Sequence, residues 1–531
     1  MSACEYDIII VGTGAGGGTL LHRLAPSGLR ILVLERGEFL PRERENWDQT
    51  EVFGKNRYQT QERWTDKDGK PFRPYQHYWV GGNTKVYGAA LLRLRASDFE
   101  RTEHHGGESP AWPVAYRDFE PYYAQAERLF SVHGLDGADP TEPHRSSPYP
   151  FPPVAYEPHM QRLAGAFEAR GLRPFPCALG VRLGEDTPGP VPPIVLSNFD
   201  GYPDLTQAKA DAEVVAVLPA VARPNVTLVT GAKVLRLETE SSGRRVTAVI
   251  AECRGSEVRY KANTVVLSCG AVNSAAVLLR SASDRHPRGL GNSSGLVGRR
   301  YMCHNNGIVI AATERENPSQ FQKAFALSDY YQRSEDSPKP LGLIQLMGKP
   351  DEGFLEFLVR KHLPEVPKGQ LWTRTVDFFI TAEDLPNPEN RVELDTSGGI
   401  RLRYTPNNLE AFERLNTKLI EALNDIGSQH DAPFGKFIAC ESLKLDVSGV
   451  SHQSGTLCFG ADPKASVLDL YCRSHDVENL YVVDSSFFPS CGAVNPSLTI
   501  MANALRVGDR IACQHGAALA RPVHGRAASR M

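Results

Sequence analysis

A glycine-rich turn between two apolar segments constrains the fold of this chain more than any other feature. Residues 8–11 are β-branched and lead into a G-x-G-x-x-G pattern whose glycines are Gly12, Gly14 and Gly17. Residues 30–34 are again apolar and end at an acid, Glu35. Strand, glycine turn, helix and strand in this order predict one βαβ unit whose two parallel strands are buried on both faces.

The same turn predicts a dinucleotide site. The first glycine permits a tight turn, the second lets a pyrophosphate reach the backbone, and the third allows close helix packing, with the anion at the helix N-terminus. Glu35 lies 23 residues after Gly12, where a carboxylate can accept from ribose hydroxyls. The predicted contacts are Gly12, Gly14, Ala15, Gly17, Glu35 and Arg36. The plain alternative is a glycine-rich turn in an unrelated α/β sheet.

A second set of polar residues lies near the C-terminus. His452 opens the sequence His-Gln-Ser-Gly-Thr, Asp484 follows two valines, and Asn495 precedes Pro496. A flavin held lengthwise by both ends of the chain would require a second strand, turn and helix that end near its ribityl chain. The C-terminal pattern therefore favours FAD over NAD.

His452 is the predicted catalytic base. Oxidation of an alcohol by hydride transfer needs a group that takes the hydroxyl proton, and neutral imidazole has a suitable pKa. The amide of Asn495 can orient the substrate oxygen without adding a competing base. His304 is a weaker candidate, interpreted as structural or flavin-side. The tentative substrate contacts are Gln345, His452 and Asn495.

Composition limits the classes of protein to which the chain can belong. Its 531 residues exceed one simple core, and a formal net charge of −3 without a long basic run gives no reason to expect nucleic acid. Ten cysteines include no Cys-x-x-Cys pair, which argues against structural zinc and suits a reducing compartment. No stretch approaches the roughly 20 apolar residues that cross a bilayer. We expect a cytoplasmic protein without a metal site, a nucleic-acid partner or a membrane span.

The segment patterns predict an α/β fold with an α+β insert. Residues 204–222 are helix-like, a hairpin turns at Ser242-Gly243, and residues 136–158 and 184–203 are long loops. An amphipathic helix is expected over residues 409–426 and a C-terminal helix over residues 497–513. The predicted FAD-binding domain comprises residues 1–95, 204–305 and 441–515, the last part with the catalytic residues. Residues 306–440 form the predicted substrate-binding domain, 96–203 an irregular or substrate-domain segment, and 516–531 a flexible tail.

Five motifs in order resemble the glucose-methanol-choline (GMC) oxidoreductases. They are Gly12-Thr13-Gly14-Ala15-Gly16-Gly17, Val80-Gly81-Gly82-Asn83-Thr84, Gly270-Ala271-Val272-Asn273-Ser274, His452-Gln453-Ser454-Gly455-Thr456, and Asp484-Ser485-Ser486 leading into Asn495-Pro496-Ser497-Leu498-Thr499. The resemblance runs from Tyr6 to about Ile511, apart from the variable insert. It implies a Rossmann-like FAD-binding domain, an inserted antiparallel-sheet substrate domain and a His-His or His-Asn catalytic pair, here His452 and Asn495.

The resemblance also extends the set of expected cofactor contacts. Residues 81–84 match the loop along the isoalloxazine ring, and Asp484 matches a residue near the ribityl and pyrophosphate groups. The further predicted contacts are Gly81, Gly82, Asn83, Thr84, Val234, Gly270, Asp484, Ser485, Asn495, Pro496 and Thr499. Pyranose 2-oxidases carry a histidine tether in the loop that corresponds to residues 81–89. This chain has no histidine there, so non-covalent, dissociable FAD is predicted.

The sequence looks most similar to the bacterial pyranose and glycoside oxidase-like members of this family. The expected reaction oxidises a CH–OH group of a sugar, glycoside or other alcohol to a carbonyl by hydride transfer to flavin N5. Dioxygen or a quinone is the expected electron acceptor. Two alternatives are a lyase on the same fold, which would split a cyanohydrin, and a non-catalytic flavoprotein. The identity of the alcohol and the oligomeric state stay open at this point.

Overall fold

The computed structural model describes residues 5–183, 198–333 and 337–519. Its α-helices are α1 (Ala15–Leu24), α2 (Tyr116–Leu129), α3 (Pro158–Glu168), α4 (Leu218–Val221), α5 (Ala271–Arg280), α6 (Glu352–Leu358), α7 (Leu409–Gly427) and α8 (Ser497–Gln514). Short 3₁₀ helices cover Ala25–Ser27, Arg44–Trp47, Gly82–Lys85, Ala96–Phe99, Arg360–His362, Leu371–Arg374 and Ser485–Phe487. Single π-helical turns cover Thr50–Gly54 and Glu213–Val217.

The strands are short and fall into several sheets. The first half of the chain contains β1 (Tyr6–Val11), β2 (Ile31–Leu34), β3 (Trp64–Thr65), β4 (Pro71–Phe72), β5 (Thr102–His104), β6 (Gly107–Ser109), β7 (Val132–His133), β8 (Phe175–Pro176), β9 (Leu179–Gly180), β10 (Val226–Val229), β11 (Ala232–Thr239), β12 (Val246–Cys253), β13 (Ser256–Tyr260) and β14 (Ala262–Leu267). The second half contains β15 (Arg299–Cys303), β16 (Asn305–Thr313), β17 (Phe325–Leu327), β18 (Leu343–Leu346), β19 (Thr375–Ala382), β20 (Arg391–Leu394), β21 (Ile400–Arg403), β22 (Phe437–Lys444), β23 (Gln453–Thr456) and β24 (Leu480–Val482).

Five parallel strands form the sheet that carries the glycine turn, in the order β10-β2-β1-β14-β24. Ile8 of β1 pairs with Ile31 of β2 on one side and with Thr264 of β14 on the other. Residues 8–11 and 31–34 are all buried, as expected for strands covered on both faces. The predicted βαβ unit is confirmed.

Two glycines of the turn occupy positions that no other residue fits without strain. Gly12 has a φ of +97°, and a Cβ there would overlap the carbonyl oxygen of Ser268 after β14. A Cβ on Gly17 would overlap the carbonyl oxygen of Gly12, because α1 packs directly on the turn. The predicted roles of the first and third glycines, a tight turn and close helix packing, agree with these contacts.

A six-stranded antiparallel sheet in the order β22-β16-β19-β18-β17-β8 forms the second layer of the molecule. Helix α7 buries one stripe of side chains at helical spacing, formed by Phe412, Leu415, Leu419, Leu423 and Ile426. This stripe packs with the apolar side chains of β16 and β19 in one core. The inserted antiparallel sheet and the helix over residues 409–426 are confirmed.

Two further sheets have three and six strands. Strands β11, β12 and β13 form an antiparallel meander, so the predicted hairpin at Ser242-Gly243 is confirmed. A mixed sheet in the order β23-β15-β20-β21-β3-β4 brings the segment that follows His452 beside β15. Since β16 follows β15 after one residue, this pairing places His452 next to the antiparallel sheet.

The structure differs from the sequence predictions at two segments. Only residues 213–221 of the predicted helix over 204–222 are helical, because the carboxylate of Asp204 accepts from the backbone N–H groups of Thr206 (2.8 Å) and Lys209 (2.6 Å) and holds a turn instead. The segment 96–203 contains β5 to β9 together with α2 and α3, and β8 extends the antiparallel sheet. Of the predicted loop at 184–203, residues 184–197 lie outside the described residues.

The division into domains stays a prediction, although every predicted part before the tail contributes to the sheets. Ranges 204–305 and 441–515 supply β10, β14 and β24 to the parallel sheet, while β22 continues past residue 440 to Lys444. Most of the predicted tail, residues 520–531, lies outside the described residues. Among the helices that the structure describes, none combines the length and apolar character needed to cross a bilayer.

Replacement of Gly12 by Ala should lower the free energy of unfolding by about 1–3 kcal/mol beyond the cost of the left-handed backbone, because the new Cβ overlaps Ser268. Gly28→Ala is the matched control, since Gly28 has a φ of +77° with no atom within 4 Å of the added Cβ. Thermal unfolding of both variants measures the difference. Equal losses of stability would contradict the proposed contact.

Candidate active site

One cavity of about 570 Å³ follows the carboxyl edge of the parallel sheet. Four residues that follow strands line it. Gly12, Glu35 and Ser268 come directly after β1, β2 and β14, and Asp484 is the second residue after β24. At its other end the cavity is lined by His452 and Asn495. The crevice outside the carboxyl ends of parallel strands is where α/β sheets bind their ligands. The cavity therefore joins the two widely separated motifs of the sequence.

Glu35 ties the first strand ends together. One carboxylate oxygen accepts from the backbone N–H of Thr13 at 2.9 Å and from its hydroxyl at 2.6 Å, and the other accepts from the N–H of Gly37 at 2.9 Å. Burial raises the pKa of this carboxyl above its ordinary value. Arg36, the next residue, lies over the ring of Tyr78 at 3.6 Å and lines the cavity.

Asp484 holds the opposite strand ends in the same manner. One oxygen accepts from the backbone N–H of Gly270 at 3.0 Å and from the hydroxyl of Ser274, and the other accepts from the N–H of Ser486 at 3.0 Å. Burial raises the pKa of this carboxyl too. Gly270 has a φ of +88°, which glycine adopts readily, and it begins α5.

The loop over residues 81–84 closes against the glycine turn. The hydroxyl of Thr13 accepts from the N–H of Gly81 at 3.0 Å, and the side chain of Asn83 accepts from the N–H of His77 at 2.8 Å. A Cβ on Gly14 would meet only the carbonyl oxygen of Gly81, at 4.0 Å. The backbone at Gly14 is thus open toward the cavity, as a bound pyrophosphate would require.

His452 contacts His304 through their Nδ1 atoms, which are 3.0 Å apart. The Nε2 of His304 lies 3.3 Å from the carbonyl oxygen of Cys491, which can only accept a hydrogen bond. His304 therefore carries its proton on Nε2 and accepts at Nδ1, so His452 donates from Nδ1. The Nε2 of His452 is left unprotonated and has no partner among the described residues. This nitrogen has a lone pair that is free to accept a proton.

The surroundings of His452 keep its ring neutral. It opens onto the cavity but is enclosed by protein, with the ring of Phe379 edge-on at 6.2 Å and the amide of Asn306 3.4 Å from Nδ1. Burial, then the neighbouring His304 and the charge of Lys323, lower the pKa of His452 well below its ordinary value. Burial also lowers the pKa of His304. At neutral pH His452 is therefore unprotonated, which is the state that a general base requires.

Asn495 is oriented by Gln345. The Nε2 amide of Gln345 donates to Oδ1 of Asn495 at 2.8 Å, across the boundary between β18 and the loop before α8. The acceptor side of the Asn495 amide is thereby occupied, and its N–H₂ group is the side left for the cavity. Gln345 is buried behind Asn495 and does not line the cavity. It contacts the amide rather than the space in which a substrate would lie.

The other candidate residues divide into two groups. Those that line the cavity are Gly12, Gly14, Ala15, Glu35, Arg36, Gly82, Asn83, Thr84, Val234, Gly270, Asp484, Ser485, Asn495 and Pro496. Those that do not are Gly17, Gly81, Gln345 and Thr499. The hydroxyl of Thr499 is hydrogen-bonded to Tyr123 of α2 at 2.7 Å, which turns it away from the cavity.

Two adjacent acids behind the site were missed by the sequence analysis. Glu383 accepts from the N–H of Gly492 at 3.0 Å, and Asp384 accepts from the N–H of Cys303 at 3.0 Å. Gly492 belongs to the loop that carries Asn495, and Cys303 immediately precedes His304. The pair, which follows β19, therefore fixes the backbone beside both functional side chains. Two acids directly after an apolar strand were the available indication in the sequence.

Comparisons with known proteins agree with this geometry. Two family models, both described as GMC oxidoreductase, match residues 195–306 and 386–504. The 6'''-hydroxyparomomycin C oxidase of Streptomyces lividus is 31% identical over 96% of this chain and 91% of the relative. The chain belongs to the GMC oxidoreductase family. Paromamine 6'-oxidase of Streptomyces fradiae is 29% identical with the same two coverages, 96% and 91%. The solved pyridoxine 4-oxidase from Mesorbium loti has the same fold, with a TM-score of 0.65 at 21% identity over 96% of this chain and 99% of that chain.

The cavity of this GMC oxidoreductase fits FAD, the cofactor of the family. A Cβ on Gly82 would lie 3.1 Å from Cα of Gly14, so the two glycine loops leave a narrow, side-chain-free cradle at the N-terminus of α1. His77 lines the cavity, and its buried Nδ1 has no hydrogen-bond partner among the described residues. The open backbone and this unpartnered polar atom suit an extended, polar cofactor.

Replacement of Asp384 by Asn should change how stability depends on pH. Burial raises the pKa of Asp384 to about 7, above the value of about 3.9 in an unfolded chain. Between about pH 4 and pH 7 the carboxyl of Asp384 is protonated in the folded wild type and ionised in the unfolded chain. The free energy of unfolding of the wild type therefore falls as the pH rises through this range. The amide of Asn does not titrate, so the variant does not lose stability in this way. Its stability relative to wild type should therefore rise between pH 5 and pH 8, by no more than about 3 kcal/mol.

Thermal unfolding at both pH values measures this effect, with Asp395→Asn in an exposed turn as the control. Asp395 accepts from the hydroxyl of Ser397, which lowers its carboxyl pKa, so that variant should not gain stability with pH. Parallel pH profiles for wild type and Asp384→Asn would show that Asp384 does not hold a proton in the fold.

Proposed function

We propose that this GMC oxidoreductase oxidises the CH–OH group of a sugar, glycoside or related alcohol to a carbonyl, with His452 as the base. The observation that carries the proposal is the contact between the Nδ1 atoms of His452 and His304, which assigns the free lone pair of His452 to Nε2, in a cavity lined by both His452 and Asn495. Family membership and the named oxidase relatives support oxidation of a CH–OH group.

His452 and Asn495 act on the same oxygen atom of the substrate. Nε2 of His452 takes the hydroxyl proton, while Nδ1 stays bonded to His304 so that the ring does not rotate. The N–H₂ group of Asn495, held by Gln345, donates to the oxygen as negative charge develops on it. FAD, when bound, supplies the acceptor for the hydride that leaves the carbinol carbon. His452 is an imidazolium after this step, and its ring becomes neutral again when Nε2 releases the proton to solvent.

The names of the relatives indicate a class of substrate. One is named as a paromamine 6'-oxidase and another as an oxidase of a hydroxyparomomycin, and both align with this chain over 96% of its length. We infer a sugar or glycoside hydroxyl as the oxidised group. A cyanohydrin lyase and a non-catalytic flavoprotein gain no support, since the named relatives are oxidases and both the base and the amide are present.

His452→Ala should lower the rate of flavin reduction by a sugar-type alcohol at least 100-fold, because the hydroxyl proton then has no acceptor. The variant should still contain FAD, since His452 does not contact the glycine turn or the acids that hold it. Anaerobic stopped-flow bleaching of the flavin absorbance measures the rate. His286→Ala is the control, because His286 is bonded to Gly243 outside the cavity. Near-normal reduction in His452→Ala would refute the assignment.

We further propose that the FAD is not covalently attached. The support is the absence of histidine from residues 81–89, where Lys85 is instead buried in ion pairs with Asp211 at 2.8 Å and Glu213 at 2.7 Å. Acid precipitation should release all the flavin into the supernatant. A yellow pellet would contradict the proposal, and His77→Ala would then show whether His77, which lines the cavity, is the attachment point.

We propose two candidate electron acceptors and one cellular compartment. Dioxygen and a quinone both stay candidates, and peroxide release measured against dye reduction separates an oxidase from a dehydrogenase. The cytoplasm is the proposed compartment, because the nine cysteines in the described residues are all free thiols.

A further inference from the structure

An ion pair, Asp200–Lys323, lies in the cavity wall apart from the catalytic pair. The Nζ atom of Lys323 donates to both carboxylate oxygens of Asp200, at 2.9 Å and 3.0 Å. The backbone N–H of Gly348 holds one of these oxygens at 2.7 Å. The lysine side chain is 6% exposed and the aspartate side chain 17% exposed, so the pair opens only toward the cavity.

The pair sits on the substrate side of the cavity. A Cβ on Gly88, in the loop that continues from residues 81–84, would overlap Asp200 and lie 2.7 Å from Nζ of Lys323. The positive charge of Lys323 also contributes to lowering the pKa of His452. Lys323 is therefore within electrostatic reach of His452, and the pair lies beside the 81–89 loop.

The Asp200–Lys323 pair has donor and acceptor positions that no described protein atom occupies. An ammonium has three N–H donors, and Lys323 uses two of them on Asp200, with no third acceptor among the described residues. The Asp200 oxygen that Gly348 does not hold accepts only from Lys323. Removing an ion pair from water costs several kcal/mol per ion unless its remaining groups are satisfied. A donor and an acceptor are thus left side by side, facing the cavity.

We propose that the Asp200–Lys323 pair binds hydroxyl groups of the substrate other than the one oxidised. This inference rests on the proposed oxidation at His452 and adds the recognition element. A hydroxyl can both donate and accept, so adjacent ring hydroxyls can accept from Lys323 and donate to Asp200 together. A monohydric alcohol has its single hydroxyl at His452 and leaves the pair unsatisfied. The pair therefore selects for polyhydroxylated substrates.

The charges of the pair also exclude other ligands at this position. A protonated amine would be attracted by Asp200 but repelled by Lys323, and a carboxylate would experience the reverse. Only a neutral group that is both donor and acceptor gains from both residues. Met347, Phe354 and Phe379 also line the cavity, beside the charged Lys349 and Asp351, and their apolar surface suits the C–H faces of a sugar ring. Neutral sugar hydroxyls therefore fit this subsite better than charged groups.

The test compares the preference for polyols in wild type and variants. The preference is the ratio of the second-order rate constants for flavin reduction by methyl glucoside and by 1-hexanol, measured anaerobically. Lys323→Met and the double variant Asp200→Asn/Lys323→Met should lower this ratio by about 10- to 100-fold, the usual value of a lost charged hydrogen bond. The double variant removes both charges and avoids leaving Asp200 buried alone. Lys418→Met, on the exposed face of α7, is the control and should keep the ratio.

Binding provides a readout that does not depend on turnover. In a His452→Ala background, the dissociation constant of methyl glucoside by calorimetry should rise at least 10-fold when Lys323→Met is added. Wild type that reduces its flavin with 1-hexanol as well as with methyl glucoside would overturn this inference, and so would variants that keep the wild-type ratio. Both outcomes leave the proposed oxidation intact. If no alcohol bleaches the wild-type flavin, the proposed oxidation itself fails, and this inference fails with it.

Discussion

The common direction of the five strands in the parallel sheet is the constraint on which the site depends. Because β1, β2, β14 and β24 run the same way, the polar residues that follow them meet at one edge. The interior of such a sheet is covered on both faces and leaves no other place for them. Glu35 and Asp484 are buried at this edge, and each is hydrogen-bonded to backbone N–H groups of two segments. The two acids thereby shape the cavity that the cofactor fills.

The sequence was sufficient for the parts of this arrangement that have a local pattern. The βαβ unit, the meander and the helix over residues 409–426 follow from periodicity, which acts within one segment. His452 and Asn495 were found because their motifs are distinctive. The helix expected over residues 204–222 was wrong in its first half, because the side chain of Asp204 binds the backbone of its own turn. Propensity alone does not measure that competition.

The residues that the sequence left ambiguous or missed act through contacts between distant segments. His304 was interpreted as structural or flavin-side, and its contact with His452 depends on the pairing of β15 with β23. Gln345 was a tentative substrate contact, and only the antiparallel sheet shows that it faces Asn495. Glu383 and Asp384 have no pattern of their own. Their importance comes from two segments that are far apart in the chain, the end of β15 and the loop before α8, whose backbone N–H groups they bind.

These contacts make the distance between base and amide a property of the whole fold. His452 is hydrogen-bonded to His304, which directly precedes β16, and Asn495 is hydrogen-bonded to Gln345 of β18. Each side chain is therefore positioned by a residue in or next to the antiparallel sheet. Glu383 and Asp384 then hold the backbone of both segments, through Gly492 and Cys303. A well-packed interior deforms little, so such a network keeps two side chains in register although they are 43 residues apart in the chain. The placement of His452 and Asn495 at the cavity is thus set by His304, Gln345, Glu383 and Asp384, none of which lines it.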